Sequence, residues 1–124
     1  MNTKIRYMYT DGSNYKQRYE AVVKGAATKE QVNAIYDSLD PEEFFVAKQV
    51  GLPAEGIKGY PVNEDDHAWY QMFTEDGIEE TKEEATIDMT IEELARKFVQ
   101  AKNKWDVVTY APMCDDEDEE EDEE

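Results

Sequence analysis

Asp65, Asp66 and His67 are consecutive in the sequence and form its one cluster whose residue types resemble a metal site. Carboxylate and imidazole ligands suit zinc, manganese or iron. A metal site usually needs three or four converging ligands, and the chain has a single histidine. A metal-dependent enzyme built around His67 is therefore one hypothesis. The other, which we favour, is structural: the aspartates cap or flank a strand and His67 lies beside Trp69, with no metal and no cofactor.

Other catalytic arrangements find little support in the sequence. Histidine is a common general base, but hydrolysis also requires a nucleophile and an oxyanion hole. No GxSxG, P-loop or GxGxxG pattern is present. Cys114, the only cysteine, adjoins an acidic run whose negative charge suppresses the reactive thiolate. We therefore expect that the chain is not an enzyme.

The charge of the chain is its most unusual feature. Thirty-one acidic and thirteen basic residues give a formal net charge of −18. Residues 115–124 are all acidic, and residues 60–88 hold ten further acids against Lys82 alone. This charge argues against direct binding to nucleic acid or to anionic membranes. It favours a basic protein surface as the partner.

Carboxylates displayed along an extended edge can occupy a groove that normally receives DNA, whose phosphates attract lysine and arginine. We therefore expect a non-enzymatic acidic interaction protein, a nucleic-acid mimic that binds and inhibits a basic nucleic-acid-binding protein. In size and charge only, the chain resembles the acidic mimics that block restriction or CRISPR nucleases. The carboxylates predicted to bind the partner are Glu64, Asp65, Asp66, Glu75, Asp76, Glu79, Glu80, Glu83 and Glu84.

Two alternatives stay open at the level of sequence. The acidic stretch could be a solvated face that only keeps the chain in solution. In the other alternative, basic residues of the N-terminal hairpin contact an anionic ligand and the acidic tail gates that face. The basic residues concerned are Lys4, Arg6, Lys16 and Arg18. Truncation at Met113 separates mimic from gated module, because a mimic loses on-rate whereas a gated module gains ligand affinity.

The pattern of apolar residues predicts the elements that must position these side chains. Strands are expected at 3–10, 17–24, 44–46, 67–73 and from Ile78, with another short one at 107–110. Capping boxes at Thr28–Gln31 and Thr90–Glu93 predict the starts of two helices. The turn signal Asp76-Gly77 predicts that the strand from Ile78 returns beside the strand at 67–73.

This element order predicts an α+β fold, an antiparallel sheet of about four to five strands with two α-helices packed on one face. Tyr7, Tyr9 and Tyr19 should face the core, with Tyr15 at the hairpin turn. We expect one domain over residues 1–110 and a disordered acidic tail over 111–124. The sequence shows no secretory signal or membrane segment, and a cytoplasmic setting is expected.

Four segments, DGSNYK (11–16), FFVAKQVGLP (44–53), DDHAWYQM (65–72) and EELARKF (92–98), resemble small bacterial proteins without a characterised activity. The resemblance covers about residues 3–106 and excludes the tail. It implies a compact α+β domain and implies no activity.

Overall fold

The computed structural model describes residues 1–73 and 75–112, so the predicted tail lies outside the described residues from 113 onward. Its strands are β1 (Asn2–Thr10), β2 (Lys16–Val23), β3 (Phe44–Val46), β4 (Trp69–Met72) and β5 (Ile78–Thr81). Its helices are α1 (Lys29–Ser38) and α2 (Ile91–Ala101), with a short 3₁₀ helix at Ala47–Val50. Both helices begin with the predicted capping box, at Thr28 and at Thr90.

The five strands form one antiparallel sheet, and the predicted α+β class is confirmed. The strand order is β2-β1-β4-β3, and β5 also pairs with β1. In the β1–β2 hairpin, Tyr7 lies opposite Tyr19 and Arg6 lies opposite Glu20. Because β1 is nine residues long, it provides the edge along which the shorter β4 and β5 both align.

The predicted hairpin between β4 and β5 is wrong. β5 does not return beside β4 but continues along the same edge of β1, with Ile5 opposite Ile78 and Tyr7 opposite Met72. Both ends of the intervening segment bond to the same residue: the Arg6 N–H donates to the Gly77 carbonyl, and the Phe73 N–H donates to the Arg6 carbonyl. On the side of β1 away from β2, four-residue β4 pairs only with the second half of β1. The backbone groups of the first half would remain unpaired on that side, and β5 supplies their hydrogen-bond partners.

The core lies on the face of the sheet that carries Tyr7 and its neighbours, as predicted. The Tyr7 and Tyr19 rings stack at 5.4 Å, and both side chains are buried. Phe45 of β3 contacts Tyr7 on one side and Phe98 of α2 on the other, so the helices cover this face. Ile35 of α1 belongs to the same cluster. The opposite face carries Lys4, Arg6 and Met8, each only partly buried.

The last described segment differs from its prediction. Residues 107–110 form turns rather than a strand. The carboxylate of Asp106 accepts hydrogen bonds from the backbone N–H groups of Val108 and Thr109, at 3.2 and 2.9 Å. Such a side-chain bond competes with strand pairing for the same backbone donors. Neither helix of the described residues is long and apolar enough to cross a lipid bilayer.

Candidate functional site: an acidic edge and an aromatic cleft

The nine predicted partner-binding carboxylates lie in three places along β1. Six of them, which we call the β5 carboxylates, lie in β5 or within three residues of it: Glu75, Asp76, Glu79, Glu80, Glu83 and Glu84. β5 flanks the first half of β1, where Asn2 pairs with Thr81, whereas Glu75 and Asp76 lie beside its middle, where the Arg6 N–H donates to the Gly77 carbonyl. The loop carboxylates Glu64, Asp65 and Asp66 lie beyond the other end of β1, where the Gly12 N–H donates to the Asp65 carbonyl. At about 3.3 Å per residue, β1 itself is about 26 Å long.

Two of the β5 carboxylates form ion pairs with the hairpin. Glu79 bonds Arg6, and Glu83 lies 2.5 Å from the Lys4 ammonium. Glu20 approaches the same two cations from β2, at 3.8 Å from Lys4 and 3.5 Å from Arg6. The hydrogen bond with Glu83 raises the pKa of Lys4 and correspondingly lowers the pKa of Glu83. The charges of these two glutamates are therefore largely compensated within the domain.

The other predicted carboxylates form no ion pair among residues 1–73 and 75–112. They are Glu64, Asp65, Asp66, Glu75, Asp76, Glu80 and Glu84. Glu75 and Asp76 are exposed in the turn between β4 and β5. Because successive residues of a strand point to opposite faces, Glu80 points away from the face of Glu79. The carboxylates without an ion pair therefore do not share one face of the sheet.

The basic residues of the alternative anionic-ligand face already have partners within the domain. Lys4 and Arg6 are paired as described, and their side chains are 12% and 21% exposed. The Lys16 ammonium donates to the Asn14 side chain at 3.0 Å. The Arg18 guanidinium lies 5.4 Å from the centre of the Phe73 ring. An anionic ligand on this face would compete with these contacts.

Asp65, Asp66 and His67 each have a separate structural partner. The Asp65 carboxylate accepts from the Ser13 hydroxyl, and the Asp66 carboxylate accepts from the Tyr9 hydroxyl, each at 2.5 Å. His67 contacts the Thr10 carbonyl through Nε2, and its Nδ1 accepts from the Trp69 N–H. Nδ1 is thus the unprotonated nitrogen. Within the part of the chain described, no group of three or more His, Cys, Asp or Glu side chains could hold a metal ion.

Buried tyrosines fasten the loop that follows β3 to the sheet. Tyr7 donates to the Pro53 carbonyl at 2.6 Å, and Tyr19 donates to the Gly56 carbonyl at 2.5 Å. Tyr70 accepts from the Gly56 N–H at 2.8 Å. Burial raises the pKa of Tyr7, Tyr19 and Tyr70, so these hydroxyls stay protonated. The irregular segment at 51–67 is therefore held in a defined position.

This loop and the β1–β2 turn enclose a cleft of about 250 Å³. Four carboxylates line it, and no lysine or arginine does. The acidic lining consists of Asp11, Glu55, Asp65 and Asp66. Tyr15 and Tyr60 also line it, and they are 63% and 68% exposed. We name this feature the aromatic cleft.

Sequence reasoning found only part of the aromatic cleft. It placed Tyr15 at the turn and singled out Asp65 and Asp66, but it missed Asp11, Glu55 and Tyr60. A usable signal was present, since a buried tyrosine needs a hydrogen-bond partner and a Gly/Pro-rich loop has unpaired backbone groups to offer. The three tyrosines predicted to face the core thus indicate that a loop folds back onto their hydroxyls.

Comparison with known proteins finds no matching family model, no matching curated protein and no matching solved structure. The resemblance of the four sequence segments therefore adds no activity to the geometry.

Proposed function

We propose that this chain is a non-enzymatic acidic interaction protein that binds a basic surface of a nucleic-acid-binding protein and inhibits it by occupying the site of the nucleic acid. The observation that carries the proposal is the number of carboxylates without a cationic partner. Lys4 and Arg6 form ion pairs within the domain, whereas seven of the nine predicted carboxylates form none among the described residues. Lys16 and Arg18 of the hairpin, which are exposed, likewise form no ion pair there.

The extent of the acidic groups is comparable to a stretch of duplex DNA. β1 is about 26 Å long, which is the rise of about eight base pairs. Duplex DNA carries one charge per about 1.7 Å along its axis. Carboxylates beside the start, the middle and the far end of β1 would meet lysines and arginines that are spaced to follow a phosphate backbone.

The C-terminal carboxylates would extend this field. Pro112 lines a second cavity together with Asp66 and His67, next to the aromatic cleft. The ten consecutive acids begin three residues later, at Asp115. Ten further negative charges favour long-range attraction of a basic partner and a fast association that salt weakens.

Affinity capture tests the proposal. The full chain, immobilised and incubated with lysate of the organism that encodes it, should retain a basic nucleic-acid-binding protein at low salt and release it at high salt. The Glu75→Gln/Asp76→Asn/Glu80→Gln/Glu84→Gln variant should retain much less of it. The matched control is Glu79→Gln/Glu83→Gln, which removes carboxylates that are already paired and should retain the partner nearly as well.

A captured protein without affinity for nucleic acid would contradict the proposal. So would equal retention by the four-site variant and the parent chain.

A further inference from the structure

We propose that the aromatic cleft, which Tyr15 and Tyr60 both line, receives an arginine side chain of the basic partner. This inference rests on the proposed function and names the contact that would give it specificity. The cleft of about 250 Å³ has room for a single long side chain.

The lining selects a cation. Glu55, Asp65, Asp66 and Asp11 contribute negative charge, and no basic side chain lines the cleft. These carboxylates do not form a metal-binding group with any described residue. Asp11 and Asp65 each accept hydrogen bonds through one oxygen, and Asp66 accepts through both. A cation in the cleft would therefore be met by Glu55 and by the remaining oxygens of Asp11 and Asp65.

The two exposed tyrosines favour guanidinium over ammonium. Their rings are exposed at the cleft, although large aromatic side chains normally bury most of their surface. A cation over an aromatic ring is attracted by its π-face, and arginine forms such contacts more often than lysine.

The cleft is already shaped before a partner arrives. The β1–β2 turn is bonded to the opposite wall through Gly12 N–H to the Asp65 carbonyl, at 2.9 Å, and through Ser13 to the Asp65 carboxylate. Asp66 is fixed by the Tyr9 hydroxyl and by the Asn63 N–H. Little ordering is then required on binding, which favours affinity.

Two twelve-residue peptides of equal charge test the inference, one alternating arginine with alanine and the other alternating lysine with alanine. The full chain should bind the arginine peptide about three- to tenfold more tightly than the lysine peptide. The Tyr15→Ala/Tyr60→Ala variant should bind both peptides with equal affinity. The Tyr15→Phe/Tyr60→Phe variant, which keeps the rings, should preserve the preference for arginine.

The outcomes separate the cleft from the proposed function. Suppose that both peptides bind in a salt-dependent way. If the parent chain then shows no preference for arginine, or if the Tyr15→Ala/Tyr60→Ala variant retains that preference, the cleft is not the arginine site, although the proposed function stands. If neither peptide binds even at low salt, the proposed function itself fails. If free agmatine binds the cleft as tightly as the arginine peptide, the occupant is a small guanidinium compound and the assignment to a protein partner is wrong.

Discussion

Lys4 and Glu83 are separated by 79 positions in the sequence, yet their side chains form an ion pair of 2.5 Å across the β1–β5 edge. Arg6 and Glu79 form a second pair beside it. Asp65 and Asp66 also bond within the domain, to Ser13 and Tyr9. The predicted carboxylates without a side-chain partner among the described residues are therefore Glu64, Glu75, Asp76, Glu80 and Glu84.

The Glu83 carboxylate should titrate below the ordinary glutamate value of about 4.3, because the hydrogen bond from Lys4 lowers its pKa. The contribution of this pair to stability is then fully present when the pH is above the ordinary glutamate pKa of the unfolded chain. It is lost as the pH falls through the lowered pKa of Glu83 in the folded domain. Carboxyl-carbon NMR on the parent chain and on Lys4→Gln measures the effect. The substitution should return the titration of Glu83 toward the ordinary value; an unchanged midpoint would contradict the ion pair.

Gly77→Ala should destabilise the domain by about 1–3 kcal/mol, because an added Cβ would lie 2.0 Å from the Phe73 carbonyl oxygen. Relief of this overlap would pull Gly77 away from its bond with Arg6 and loosen β5. Urea denaturation gives the change in the free energy of unfolding. Gly59→Ala is the matched control, since its Cβ meets nothing within 4 Å and only its positive φ is strained. If Gly77→Ala lowered the free energy of unfolding no more than Gly59→Ala does, the close approach of Gly77 to the Phe73 carbonyl would be refuted.

Tyr9→Phe should cost about 1–3 kcal/mol of stability, because it leaves the Asp66 carboxylate and the His67 N–H without their common partner. Tyr15→Phe should change stability little, since Tyr15 is exposed. Thermal or urea unfolding compares the two variants. Hydrogen exchange should also be faster at residues 64–67 in Tyr9→Phe than in the parent. Equal stabilities would mean that this hydroxyl does not fasten the loop.

The domain should lose stability as the pH rises above about 10. Burial raises the pKa of Tyr7 and Tyr70 above the ordinary tyrosine value, so the unfolded chain ionises first. The stabilisation is complete at a pH below the tyrosine pKa of the unfolded chain. It is lost progressively as the pH rises from there through the raised pKa of the folded domain. The urea midpoint between pH 8 and 11.5 measures this loss, and Tyr7→Phe should flatten its slope. A midpoint independent of pH would show that these hydroxyls are accessible to solvent.

The strands and helices were largely predictable because their signals are local. The alternation along β1 and the capping boxes at Thr28 and Thr90 depend on neighbouring residues, and the structure confirms them. The pairing of β5 was not predictable from its turn signal, because Asp76-Gly77 is compatible with a hairpin and also with a loop that lets the chain continue along β1.

The candidate site was predictable only in part for a related reason. Nothing local to Glu79 indicates that Arg6 will lie beside it, since their contact depends on which edge β5 joins. The aromatic cleft likewise combines the β1–β2 turn with a loop about 50 residues further along the chain. Charge was therefore visible in the sequence, while the distinction between paired and available charge required the fold.

Competition with duplex DNA decides whether this chain occupies the nucleic-acid site of its partner. A protein captured by the immobilised chain would be titrated with a 20-base-pair duplex in the presence of the full chain, of the four-site variant, or of a chain truncated at Met113. The full chain should displace the duplex from the captured protein, the four-site variant should do so weakly, and truncation should slow association. Simultaneous binding of duplex and full chain to the captured protein would contradict the proposed function.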